Sequence, residues 1–155
     1  MTRSGLEIEW ADTIRYLGIY LRRHSVFMCC LDNHKRSFYR SFNAIYGKIG
    51  RVASEEVIIQ LVQSKCVPVM LYCLEACPLK KSQLQSLENV IVNCFMKIFH
   101  TRSKETVNDC IEMFNLNVRK LLDRRRVTFL KTFAKRNDRN TVCCAFKARC
   151  MADLH

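Results

Sequence analysis

Arginine and lysine are the side chains with the most chemistry to offer in this sequence, and they come in groups. Arg22 and Arg23 form a pair. Lys35, Arg36, Arg40, Lys48 and Arg51 follow at short intervals, and Arg124, Arg125 and Arg126 stand together further on. Cations held on one surface neutralise phosphates without reading base sequence, so these residues are the candidate nucleic-acid contacts. Catalysis finds less support. A two-metal nucleotidyl transferase needs carboxylates that converge on a pair of cations. The 14 carboxylates here include no Asp-Asp and no Asp-x-Asp. Glu55-Glu56 is the one adjacent pair, and a helix would aim those two side chains in different directions. No phosphate-binding glycine loop, H-E-x-x-H or G-x-S-x-G motif is present.

Ten cysteines and four histidines are the remaining reactive groups. Cys66, Cys73, Cys77 and Cys94 fall within apolar runs, where a free thiol packs as a small hydrophobe. Cys73-x3-Cys77 makes one metal half-site without a second. Cys143, Cys144, Cys150 and His155 do not follow the usual ligand spacing. Reduced thiols, no metal and no catalytic residue are expected.

Charge places the chemistry. The net +12 is uneven: residues 31–51 hold five cations against one carboxylate, and residues 117–155 hold eleven against three. Residues 1–30 are close to neutral, with four cations against three carboxylates, and residues 52–116, with six against seven, are neutral and apolar. Two basic zones flanking an apolar middle suit a polyanion, of which nucleic acid is the commonest. Phe38, Tyr39, Phe42 and Tyr46 lie among the charges of the first zone. The chain's 155 residues are enough for one core, and 49% apolar with 26% charged residues argues against wholesale disorder. Its longest apolar stretch, residues 66–77, falls short of a membrane span and contains Glu75. The opening residues lack the apolar region of a secretion signal. An intracellular protein of nucleus or cytoplasm, with no membrane partner, is expected.

The elements that must position these groups are mainly helical. Leu6-Glu7-Ile8-Glu9-Trp10 alternates, Ala11-Asp12-Thr13 reads as a turn, and residues 14–21 read as a second strand carrying Tyr16 and Tyr20 on one face. Asp32 is the expected N-cap of a helix with Phe38, Phe42, Ile45 and Ile49 on its apolar face and Gly50 near its end. Ser54 caps the next helix, with Glu55 and Glu56 in its first turn. That helix is expected to stop or kink at Val67-Pro68 and to resume to Ala76. Ser82 caps a helix with Leu84, Leu87, Ile91, Phe95 and Ile98 on one face, and Ser103 caps a short one. A basic helix runs from about Val118 to Lys135. The fold class is mainly α: a short N-terminal β-hairpin (residues 1–24), a helical bundle (25–135) and a basic, Cys-containing tail (136–155). Phe38, Phe42 and Phe95 are assigned to the core. A hairpin is marginal alone, so its strands suit a sheet that this chain lacks.

Three blocks of residues, in order, resemble a known family. They are Tyr16-Leu17-Gly18-Ile19 followed by the stretch from Lys35 to Arg51; Ser54-Glu55-Glu56-Val57 followed by Pro68-Val69-Met70-Leu71-Tyr72-Cys73-Leu74-Glu75-Ala76; and Phe95-Met96-Lys97-Ile98-Phe99. Across residues 14–133 the chain resembles the C-terminal part of the reverse transcriptase of non-LTR (LINE-type) retrotransposons. The resemblance implies that Tyr16, Leu17 and Gly18 form a primer-grip-like strand closing the palm. It also implies that the helices after them form a thumb-like bundle holding template and primer. The family's Asp-Asp motif, its fingers, most of its palm and its endonuclease do not appear here. The divalent metal belongs to the complete enzyme, and this chain alone is expected to be no enzyme and to need no cofactor. Cys73 stands where the family commonly has Gly, in what reads as the interior of a helix. The expected function is that of a reverse-transcriptase fragment, truncated within the ancestral palm, with non-specific affinity for RNA–DNA or DNA duplex. The alternative is a co-opted helical protein-interaction module.

Overall fold

The computed structural model of the protein describes residues 11–16, 18–23 and 28–135. The predicted strand at residues 6–10 and the tail at 136–155 lie outside them, as does Leu17. β1 (Thr13–Tyr16) and β2 (Ile19–Arg22) form an antiparallel hairpin, and β3 (Met28–Cys29) adds to the far side of β2. This corrects the expected register. The stretch read as one strand is itself the hairpin, turning at Leu17-Gly18. Gly18 has φ 87°, a backbone that glycine adopts without penalty and that a two-residue connection requires. The sheet also reaches past the expected boundary at residue 24.

Helices follow. α1 (Asp32–Ile49) is capped by Leu31 without a side-chain bond; Asp32 is its first residue and pairs with Lys35 at 3.5 Å. α2 (Glu55–Leu61) starts after Ser54 in extended conformation, as expected. The chain then stays helical through Pro68. A wide π turn (Val62–Cys66), closed by the Val67 amide donating to the Val62 carbonyl, leads straight into α3 (Val67–Met70). Pro68 therefore enters where its missing donor is tolerated, instead of stopping the helix. The break comes later. Cys73 adopts φ 59°, so it is not inside a helix, and a single 3₁₀ turn (Leu74–Ala76) follows.

α4 (Lys81–Ile98) begins two residues earlier than Ser82 would allow as a cap. The Lys80 amide donates to Gln83 Oε1 at 2.9 Å, leaving Ser82 within the first turn. α5 (Lys104–Met113) is capped as expected by Ser103, which accepts from the Thr106 amide at 3.4 Å. α6 (Val118–Lys135) has Asn117 before it, accepting from the Lys120 amide at 3.2 Å. α4 and α5 each close on a Schellman turn made without glycine, through His100 (φ 50°) and Asn115 (φ 54°).

One core joins these helices. Phe38 and Phe42 from α1 meet Ile58, Ile59, Val62, Cys66 and Met70, and the Leu87–Ile98 face of α4 closes over them with Phe95 at its centre. Phe38, Phe42 and Phe95 are almost wholly buried, as their spacing predicted. Each such side chain contributes about 1.5–3 kcal/mol by leaving water. Among the described residues no helix is long and apolar enough to cross a membrane. Cys30, Cys66, Cys73, Cys94 and Cys110 are free thiols, whereas Cys77 is disulfide-bonded, which corrects the expectation of reduced thiols at that position.

Candidate nucleic-acid interface

A groove of about 640 Å³ opens between the hairpin, the first turns of α1, and α3 with the turn after it. Three arginines line it: Arg15 from β1, and Arg36 and Arg40 one helical turn apart on α1. None of its lining residues is acidic. Asn33, Arg36, Ser37 and Arg40 recur at helical spacing, so α1 turns a polar stripe to the groove and its Phe38–Phe42 stripe to the core. Tyr20 and Tyr72 add aromatic walls. The Arg15 guanidinium lies 5.9 Å from the Tyr20 ring, and the Tyr72 ring stands against the open face of Gly18, where a β-carbon would meet it at 3.5 Å.

His34 sits beneath this surface. It is buried, and its Nδ1 lies 3.1 Å from the Met70 carbonyl at the end of α3. Burial lowers its pKa from the ordinary imidazole value, opposed by the Met70 bond, so the ring is neutral near pH 7. Interaction with Cys73, then burial and the nearby Glu75, raise the pKa of the Tyr72 phenol and keep it protonated. Burial pushes the Cys66 thiol up to about 11 and the Cys94 thiol higher still, so both stay protonated core side chains.

The candidates named from sequence divide by what the fold does with them. Arg36 and Arg40 share the groove, with Gly18 at its rim. Lys35, although adjacent to Arg36, points elsewhere: its Nζ donates to Ser86 Oγ at 3.0 Å and ties α1 to α4. Lys48 and Arg51 are exposed at the far end of α1, about 18 Å along the helix from Arg36. Arg125 donates to the Leu71 carbonyl at 3.2 Å and so closes the C-terminal end of α3, while Arg124 and Arg126 are exposed. Arg23 is exposed and its amide bonds the Asp12 carbonyl at 2.8 Å; the Arg22 side chain lies outside the description. Tyr16 is exposed at the end of β1, and Gly18 belongs to the turn and not to a primer-grip-like strand. Tyr16 and Tyr20 are on opposite faces, because Tyr16 pairs with Ile19 and Tyr20 with Arg15.

Sequence reasoning missed Arg15, His34 and Tyr72. The first carried a signal: once Gly18 is read as the turn, Arg15 falls opposite Tyr20. Among the described residues no group of three or more His, Cys, Asp or Glu is placed to hold a metal ion. Comparison with protein-family models, curated proteins and solved structures returns no match for this chain.

Proposed function

We propose that this chain is a nucleic-acid-binding helical module, similar to the thumb of a LINE-type reverse transcriptase and without that enzyme's catalytic aspartates. The observation that carries the reading is the groove in which Arg15, Arg36 and Arg40 converge with no carboxylate among its walls. Three guanidiniums suit successive phosphates, and Tyr20 and Tyr72 offer surfaces on which a sugar or base can rest. The resemblance of residues 14–133 to the family supports the same partner. Contacts of this kind bind duplex without sequence preference, in the micromolar range typical of non-specific complexes. Fluorescence anisotropy with a labelled RNA–DNA duplex at about 50 mM salt tests it. Saturable binding is expected, and no binding at that salt rejects the reading. No nucleotide incorporation is expected from the chain by itself.

A second reading, a protein-interaction module, has one specific observation in its favour. Ile14 and Tyr16, two residues apart on β1, share a face and are 52% and 60% exposed. Recovery of protein partners that persists after nuclease treatment, and is lost in I14S/Y16S, would favour it.

A further inference from the structure

We infer that the groove distinguishes ribose from deoxyribose, with His34 accepting a hydrogen bond from a 2′-hydroxyl while Arg15, Arg36 and Arg40 hold neighbouring phosphates. The inference rests on the nucleic-acid reading above. His34 is only 6% exposed, yet it is one of the walls of the groove. Its Nδ1 faces the Met70 carbonyl oxygen, which can only accept, so Nδ1 carries the ring's proton. In a neutral ring Nε2 then has a lone pair and no hydrogen.

That nitrogen has no hydrogen-bond partner among the described residues. It is also not sealed from solvent, since Glu75 Oε2 is the one buried, unpartnered side-chain oxygen or nitrogen there. Nε2 is therefore an acceptor that keeps some access to solvent, on a residue that lines the groove. Arginines only donate, and phosphate oxygens take what they donate. A phosphate has nothing to give Nε2. Ser37, Asn33 and the hydroxyls of Tyr20 and Tyr72 can each donate or accept, whereas Nε2 of the neutral ring only accepts. In a nucleic-acid strand the hydroxyl that accompanies every phosphate in RNA and is missing from DNA is the 2′-OH. A groove of about 640 Å³ has room for a nucleotide-sized group. A deoxyribose strand would leave Nε2 covered and unpaired, which penalises it.

Anisotropy on the full chain with three duplexes of one sequence tests this: DNA–DNA, RNA–DNA, and a hybrid whose RNA-like strand carries 2′-fluoro. Fluorine keeps the A-form sugar and donates no hydrogen. The RNA–DNA duplex is expected to bind about threefold to tenfold more tightly than the fluoro hybrid, the worth of one neutral hydrogen bond. In H34N the amide nitrogen replaces Nδ1 toward Met70 and nothing replaces Nε2, so the two hybrids should bind alike. Equal affinity of the wild type for them overturns the inference and leaves the nucleic-acid reading standing. A preference that survives in H34N also overturns it, and failure to bind any duplex overturns both. If H34N does not fold by circular dichroism, the wild-type comparison decides by itself.

Discussion

Cys73 has a left-handed backbone, φ 59°, that a side chain with a β-carbon adopts at a cost of about 1–2 kcal/mol. Glycine would relieve most of that, while giving up a little contact and gaining freedom in the unfolded chain. C73G is therefore expected to raise stability by about 0.5–1 kcal/mol, and C73A to change it little, measured by urea unfolding. A run of apolar residues from Val69 onward hides the break, so Cys73 reads as helix interior from the sequence alone. His34 yields a second expectation. Its pKa in the folded protein is depressed, so the unfolded chain binds the extra proton first. The stability due to neutral His34 is complete above the unfolded value of 6.5 and is lost as pH falls below it. The steepest slope one proton allows is about 1.4 kcal/mol per pH unit. Wild type should lose more stability than H34N between neutral and mildly acid pH. Parallel losses would contradict the assignment.

At the scale of elements, two arginines tie α6 to the rest of the bundle. Arg125 reaches back to the Leu71 carbonyl, and Arg119 pairs with Glu88 of α4, its Nη2 3.3 Å from Oε2. R125A is expected to cost about 1–2 kcal/mol, because a half-buried carbonyl at a helix end loses a charged donor. R124A and R126A should stay within about 0.5 kcal/mol of wild type, as exposed changes do. Thermal unfolding of the three variants checks the contrast. What was legible in the sequence follows the same division. The start of α6 and the Ser103 cap could be read because each is set by neighbours in the chain. The apolar faces of α1 and α4 were readable from their period. The hairpin register was not, since Leu17-Gly18 continues an apolar run and only the positive φ of Gly18 turns it. The π turn was hidden too, because it is the packing of Val62 and Cys66 in the core that keeps the helix running through Pro68.

At the scale of the molecule, eight of the ten basic residues chosen from sequence resolve into different duties. Arg36 and Arg40 face a groove, Lys35 and Arg125 hold helices together, and Lys48, Arg51, Arg124 and Arg126 meet solvent. Arg36 and Arg40 stand among five basic residues in or just after α1, with nothing in their spacing to set them apart from the other three. Arg15 and Tyr72 reach the α1 residues only through tertiary packing, which local patterns do not encode. A site built from three separate segments also depends on the core beneath it. F38A, directly behind the polar stripe of α1, is expected to cost about 3–5 kcal/mol and to abolish binding by unfolding the chain. The salt dependence of duplex binding tests the convergent groove most directly, comparing wild type with R36Q/R40Q by anisotropy. Three phosphate contacts give a slope of log K against log salt of about −2.7, or roughly fortyfold weaker binding from about 50 to 200 mM salt. Removing two of those contacts should make the slope shallower by about 1.8. A double variant that binds with the wild-type affinity and slope would contradict the groove as the nucleic-acid interface.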